Sequence, residues 1–157
     1  MRKSAYFASR PSAGWPSPKE LERYFLARPG RRWFFETEND SACLTAEGVD
    51  GTEHLEADKG RIDVDLDMWG NPEHGVLLIY SKWGGGLKQT YSSKGDFARL
   101  HERVRSMHDT LLPVGLFIPF DKAWTTVKEF IETDGKLPKS IEWIANRDLP
   151  PNTFPDP

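Results

Sequence analysis

The sequence predicts an α+β fold: a single domain built on an antiparallel β-sheet of about five or six strands, with helices packed on one face. Three observations carry this. Strand-like segments run together through the middle of the chain instead of alternating strictly with helices. Arg61 to Asp67 alternates aliphatic and acidic residues, the period of a strand with one face on a core. Residues 121–133 gather Ala123, Trp124, Val127, Phe130 and Ile131 within an arc of about 120°, the width of a core-facing helix stripe. A length of 157 residues suits one such unit, and 38% hydrophobic residues can fill its core.

Residues 1–16, with Pro11, Gly14 and Pro16, carry no period and are expected to form an irregular lead-in. Ser17-Pro18-Lys19-Glu20 then combines an N-cap serine, a proline at the first helical position and a glutamate three residues after the cap, so orphan amides are satisfied reciprocally. A helix over 18–28 follows, with Leu21, Tyr24 and Phe25 on one face and Pro29-Gly30 as its stop. Trp33, Phe34 and Phe35 favour a short strand over 32–38. The polar, acidic stretch 47–60 reads as a loop with room for one helical turn. Strands follow at 61–67, 76–81 and 87–92, separated by the turn chemistry of 69–75 and of Gly84-Gly85-Gly86.

Gly95-Asp96 is expected to cap a second helix in which Phe97, Leu100, Val104, Met107 and Leu111 recur at spacings of three and four, closed by Pro113. Residues 114–120 read as a short buried strand, and Asp121 as the N-cap of the last helix. Gly135 and Pro138 terminate that helix, and Ile141 and Trp143 alternate with polar residues as a closing strand. From Asn146 the proline-bearing tail is expected to be irregular. The division is thus 1–16, 17–145 and 146–157, without internal repeats.

Composition excludes several functions. With 21 basic and 24 acidic residues the net charge is −3, without the positive excess that phosphate neutralisation requires, so no direct nucleic-acid partner is expected. The longest apolar stretches, 76–80 and 114–118, fall far short of the ~20 residues that cross a bilayer, and no apolar leader segment follows the basic N-terminus. One cysteine, Cys43, cannot form an internal disulfide and suits a reducing compartment; the chain is read as cytoplasmic.

Candidate chemistry is sparse. Asp63, Asp65 and Asp67 project from one strand face, where they could hold a hard cation for a small metal-dependent hydrolase or nuclease, with Lys82 and Lys88 nearby. The stronger reading is a solvated sheet face, because every second residue is too widely spaced for all three to share one ion. Cys43, between Ala42 and Leu44, reads as a small buried thiol. His54 and His74 fall in loops, and His101 and His108 flank the second helix's apolar stripe; none has zinc-ligand spacing. Arg99, Arg103 and Arg105 are interspersed with Glu102 and Asp109, a mixed-charge surface. No catalytic residue, cofactor or metal is expected. Trp69 and Trp83 lie beside hairpin loops, off any clean apolar period, and tryptophan is enriched at interface hot spots.

Ile118-Pro119-Phe120, Ala123, Val127-Lys128-Glu129-Phe130, Thr133-Asp134-Gly135-Lys136-Leu137-Pro138 and Ile141-Glu142-Trp143 together resemble the C-terminal signature of the Imm1 family of bacterial immunity proteins, with Asp134 as an extra turn residue. Val76 to Tyr80 and Tyr91-Ser92-Ser93-Lys94-Gly95 resemble its central strand and a later serine-glycine segment. The resemblance extends over roughly residues 60–145. It implies a non-enzymatic protein that binds and silences a cognate polymorphic toxin, in many cases a zinc-dependent nucleobase deaminase. Between Glu47 and Asp67 there are eight acidic residues and two basic ones, Lys59 and Arg61. The expected toxin-binding surface therefore comprises Glu53, Glu56 and Asp58 of the loop, Asp63, Asp65 and Asp67 of the strand, and Trp69 and Trp83 as anchors.

Overall fold

The computed structural model describes residues 1–7, 10–26 and 40–155; the strand expected at 32–38 lies outside them. Strands β1 (Arg2–Phe7), β2 (Arg10–Ala13), β3 (Ser41–Glu47), β4 (Asp63–Asn71), β5 (Gly75–Gly84), β6 (Leu87–Ser93) and β10 (Trp143–Ala145) form one antiparallel sheet in the order β10-β6-β5-β4-β3-β1-β2. The short β9 (Phe117–Ile118) pairs with the start of β5 as an eighth strand. The α+β class stands, and the sheet is larger than expected. Its added width comes from residues 2–7 and 10–13, strands where an irregular lead-in was expected, and from β3 at 41–47, where no strand was expected; β1 pairs with β3 along its whole length.

Among the described residues, two helices cover one face. Helix α1 (Pro18–Phe25) starts at the expected capping box, with Ser17 Oγ accepting from the Glu20 amide and the Glu20 carboxylate accepting from the Ser17 amide. Helix α2 (Phe120–Glu132) is capped two residues earlier than expected: Pro119 is its N-cap, and Asp121 sits in the first turn, where its charge complements the helix dipole. Leu21, Phe25, Trp124, Val127 and Phe130 pack onto Leu44, Leu66, Met68 and Leu78 of the sheet. Phe25 stacks on Trp124 at 5.1 Å, and Phe130 meets the edge of Tyr80 at 6.1 Å. The chain leaves α2 through Gly135, whose φ of +89° is the left-handed conformation that glycine adopts without strain. Gly135 N–H donates to the Phe130 carbonyl, and its own carbonyl accepts the Tyr80 hydroxyl.

The expected second helix is not formed. Residues 97–99 make one 3₁₀ turn, and 103–105 (β7) and 111–113 (β8) pair as a hairpin. Ser106 explains the difference. Its amide donates to the Thr110 carbonyl, its Oγ accepts from the His108 and Thr110 amides, and Asp109 takes φ +62°. A turn-forming side chain bonding to its own backbone competes with the helix. The hairpin and the 3₁₀ turn at 114–116, in place of the expected continuous strand 114–120, lay Leu112, Leu116, Phe97, Leu100 and Val104 against Leu77, Ile79 and Trp69, forming a second apolar cluster on the opposite face. His101 and His108 are exposed in this segment. The closing strand runs over 143–145 instead of starting at 141, and one 3₁₀ turn at 146–148 precedes the irregular tail.

Candidate functional site

Among the described residues, the sheet face opposite the helices is only partly covered. Strand register arranges its side chains in rows across the sheet. One row runs Arg2, Glu47, Asp63, Trp83 and Lys88; the next Ser4, Thr45, Asp65, Ser81 and Thr90; the next Tyr6, Cys43, Asp67, Ile79 and Ser92; the last Ser41, Trp69 and Leu77. The second apolar cluster takes Leu77, Ile79 and Trp69 at one end. The other end keeps Tyr6 at 47% and Trp83 at 37% exposed.

The three aspartates share this face, as their spacing predicts, but they do not form the expected solvated row. Asp63 is 5% exposed. It binds the Arg61 guanidinium through two contacts of 2.8 and 2.9 Å and accepts the Gly48 amide at 2.9 Å, so it anchors the loop to the strand. Asp65 and Asp67 are half-buried. Burial, with the Asp67 charge beside it, raises the Asp65 carboxyl to about 7. Burial also raises Asp67, partly offset by a hydrogen bond from Cys43. Asp65 Oδ1 is sealed from solvent and has no hydrogen-bond partner.

Cys43 corrects the reading of a core thiol. Strand alternation sends Ala42 and Leu44 into the helix-side core and Cys43 to the opposite face, directly across from Asp67. Its thiol is pushed up by burial and then by the Asp67 charge, so it stays protonated and is a poor nucleophile at neutral pH. Cys43, Asp65 and Asp67 place a ligand atom each within 4.8 Å of one another. Asp63 does not join them. Lys82 alternates to the helix side and pairs with Asp50 at 2.6 Å, so the carboxylate–lysine convergence that a nuclease reading needs is not formed by Lys82.

The acidic loop occupies different ground. Asp50 and Glu53 line an open cleft of about 980 Å³ with Lys82 and residues 132–136, at the C-terminal end of α2. Glu53 pairs with the Met1 amino group, Glu56 with Lys59 at 3.2 Å, and Asp58 is exposed. The expected surface is therefore divided: Asp65, Asp67 and Trp83 stand on the open face, Trp69 is half-buried against the second cluster, and the loop acids border the cleft. Tyr6 had no local signal in the sequence, because only the pairing of β1 with β3 brings it beside Cys43.

Residues 17–145 match the family described as Immunity protein Imm1. The chain belongs to the Imm1 immunity protein family. No curated protein and no solved structure matched. The Imm1 match extends well upstream of the resemblance at 60–145 and takes in α1 and β3. Its most recognisable residues carry the fold: Trp143 Nε1 donates to the Pro138 carbonyl at 2.8 Å, and Ser93 Oγ accepts from the Leu78 amide while donating to the Leu116 carbonyl. Gly95 passes so close to β9 that an added Cβ would lie 2.2 Å from the Phe117 carbonyl oxygen. Membership supports an immunity role and implies a cognate toxin as partner. Among the described residues no helix is long and apolar enough to cross a membrane.

Proposed function

We propose that the protein neutralises its toxin by laying the open half of the second sheet face over the toxin's active site or substrate-binding surface, without turnover of its own. The observation behind this is the unequal covering of that face: one end is sealed by the chain's own hairpin, and the other presents Asp65, Asp67, Tyr6 and Trp83. The toxin is of the nucleic-acid-acting type, a zinc-dependent deaminase in which a zinc-bound water attacks the base, so a protein plug over the pocket suffices to stop it. Such an enzyme needs a positive surface for phosphates, and acidic groups can occupy that surface and speed encounter. The cytoplasm, where those substrates are, is the place of action.

Capturing the partner from the producing cells, identifying its toxin domain and assaying base deamination with and without the immunity protein tests this. Stoichiometric inhibition of a deaminase is expected, and Trp83→Ala should weaken binding by about 2 kcal/mol. A captured toxin with another chemistry would overturn the deaminase assignment. Turnover of nucleotides or sugar nucleotides by the purified protein with Mg²⁺ or Mn²⁺, lost in Asp65→Asn, would overturn the non-enzymatic reading and restore the hydrolase.

A further inference from the structure

We propose that Gly84 is a positioning residue for toxin recognition: its backbone contact with Arg61 fixes the end of β5, so that Trp83 stands ready as the anchor on which a toxin pocket closes. This rests on the immunity reading and adds how the anchor is held. Trp83 is 37% exposed on the open face. Among the described residues its indole N–H has no protein acceptor, whereas those of Trp15 and Trp143 donate to the Thr45 and Pro138 carbonyls. An exposed indole with its donor available fits an apolar pocket that carries a hydrogen-bond acceptor, the kind of site in which tryptophan becomes a hot spot.

The corner of the sheet that carries Trp83 is supported from one side. β10 pairs only with residues 91–93 of β6, so among the described residues no strand pairs with the outer edge of 87–90. On the inner side β4 begins at Asp63, opposite Trp83, and Gly84 lies beyond that last pair. What Gly84 meets there is backbone. It takes φ +110°, and an added Cβ would run into the Arg61 carbonyl oxygen and lie 3.2 Å from Ile62 Cα. Gly85 approaches the Gly60 carbonyl oxygen more loosely, at 3.3 Å from an added Cβ. This wall is itself tied down. The Arg61 amide donates to the Glu56 carbonyl, the Ile62 amide to Thr52 Oγ1, and the Ile62 carbonyl accepts the Gly48 and Val49 amides. The Arg61 guanidinium holds Asp63 through two further bonds. Backbone pressed on backbone leaves no side-chain torsion to absorb motion, so the wall fixes the residue before Gly84, which is Trp83. A side chain ordered before binding loses less freedom when the partner closes on it.

Labelling the whole protein with 5-fluorotryptophan gives a ¹⁹F signal for each of its six tryptophans, and the Trp83 signal is the one lost in Trp83→Phe. Gly84→Ala should shift and narrow that signal alone, with the others and the circular dichroism unchanged. Gly86→Asn is the control: nothing lies within 4 Å of an added Cβ, and asparagine tolerates the positive φ, so the Trp83 signal should stay as in wild type. Should Gly84→Ala not fold, Gly85→Asn presses on the same wall more gently and should move the Trp83 signal in its place. Binding kinetics against the captured toxin domain give the second readout. Gly84→Ala should dissociate at least about tenfold faster than wild type, and in a Trp83→Ala background it should add less than about threefold. A Trp83 signal unmoved by Gly84→Ala or its substitute, or a loss of affinity equal with and without Trp83, would overturn the positioning role and leave the immunity role standing. If wild type binds no toxin, the immunity reading fails, and the spectra alone decide whether Gly84 holds Trp83.

Discussion

Asp63, Asp65 and Asp67 leave one strand on one face and end in different states because each meets a different neighbour. Arg61 reaches Asp63, Asp67 crowds Asp65, and the Cys43 thiol lies across from Asp67. The sign of the Asp65 effect fixes a pH dependence. Its folded pKa of about 7 lies above the ~3.9 of an exposed aspartate, so its contribution is intact below pH 4 and is lost as pH rises through 7. Asp65→Asn should therefore gain stability relative to wild type between pH 4 and 8, by roughly 1–2 kcal/mol after allowing for screening by solvent at a half-buried group. Melts of both proteins across that range check it, and a constant difference would refute the linkage. Period-two spacing made the shared face of the aspartates legible in the sequence. Their separate fates were not, because the pairing of Cys43 with Asp67 depends on the register of β3 against β4, across the intervening loop.

Of the two longest stretches that carry apolar residues at spacings of three and four, only one is a helix. In α2 the stripe from Ala123 to Phe130 is buried against both α1 and the sheet, and no turn-forming residue interrupts it. Trp124→Ala or Phe130→Ala should each cost about 3–5 kcal/mol. In the stretch 97–111, Ser106 and Asp109 close a turn, and Met107, which a helix would have buried, is 45% exposed. Met107→Ala should change stability by no more than about 0.5 kcal/mol, and thermal melts of the three variants would show the contrast. The signal for the hairpin was present in the Ser106-to-Thr110 segment, but apolar spacing outweighed it. What settled the outcome was tertiary: a hairpin spreads Val104 and Leu112 over the sheet face that holds Leu77 and Trp69.

At the scale of the molecule, β4, β5, β6 and both helix positions were legible because each carries its own period or cap, whereas β3 at 41–47 was not anticipated. The N-terminal pair β1 and β2 was not, since its apolar content is low and its place is set by pairing with β3, some forty residues away in the chain. Among the described residues β2 is also one margin of the sheet, and β10, three residues long, is the other. The Gly14 amide bonds to the Lys3 carbonyl, and bonded and unbonded pairs alternate along an antiparallel ladder, so the backbone nitrogen of Pro11, paired with Tyr6, faces outward. A proline there has no hydrogen to offer. Pro11→Val would restore that donor and should raise concentration-dependent association in light scattering; unchanged scattering would refute this account of the margin. With one border lacking a donor and the other only three residues long, a neighbouring chain has little to zip onto by adding a strand. Copies of the protein can crowd a cell without templating one another into ribbons, and a partner is chosen by the side chains on the broad surface of the sheet instead of by the sequence-blind backbone at its rim.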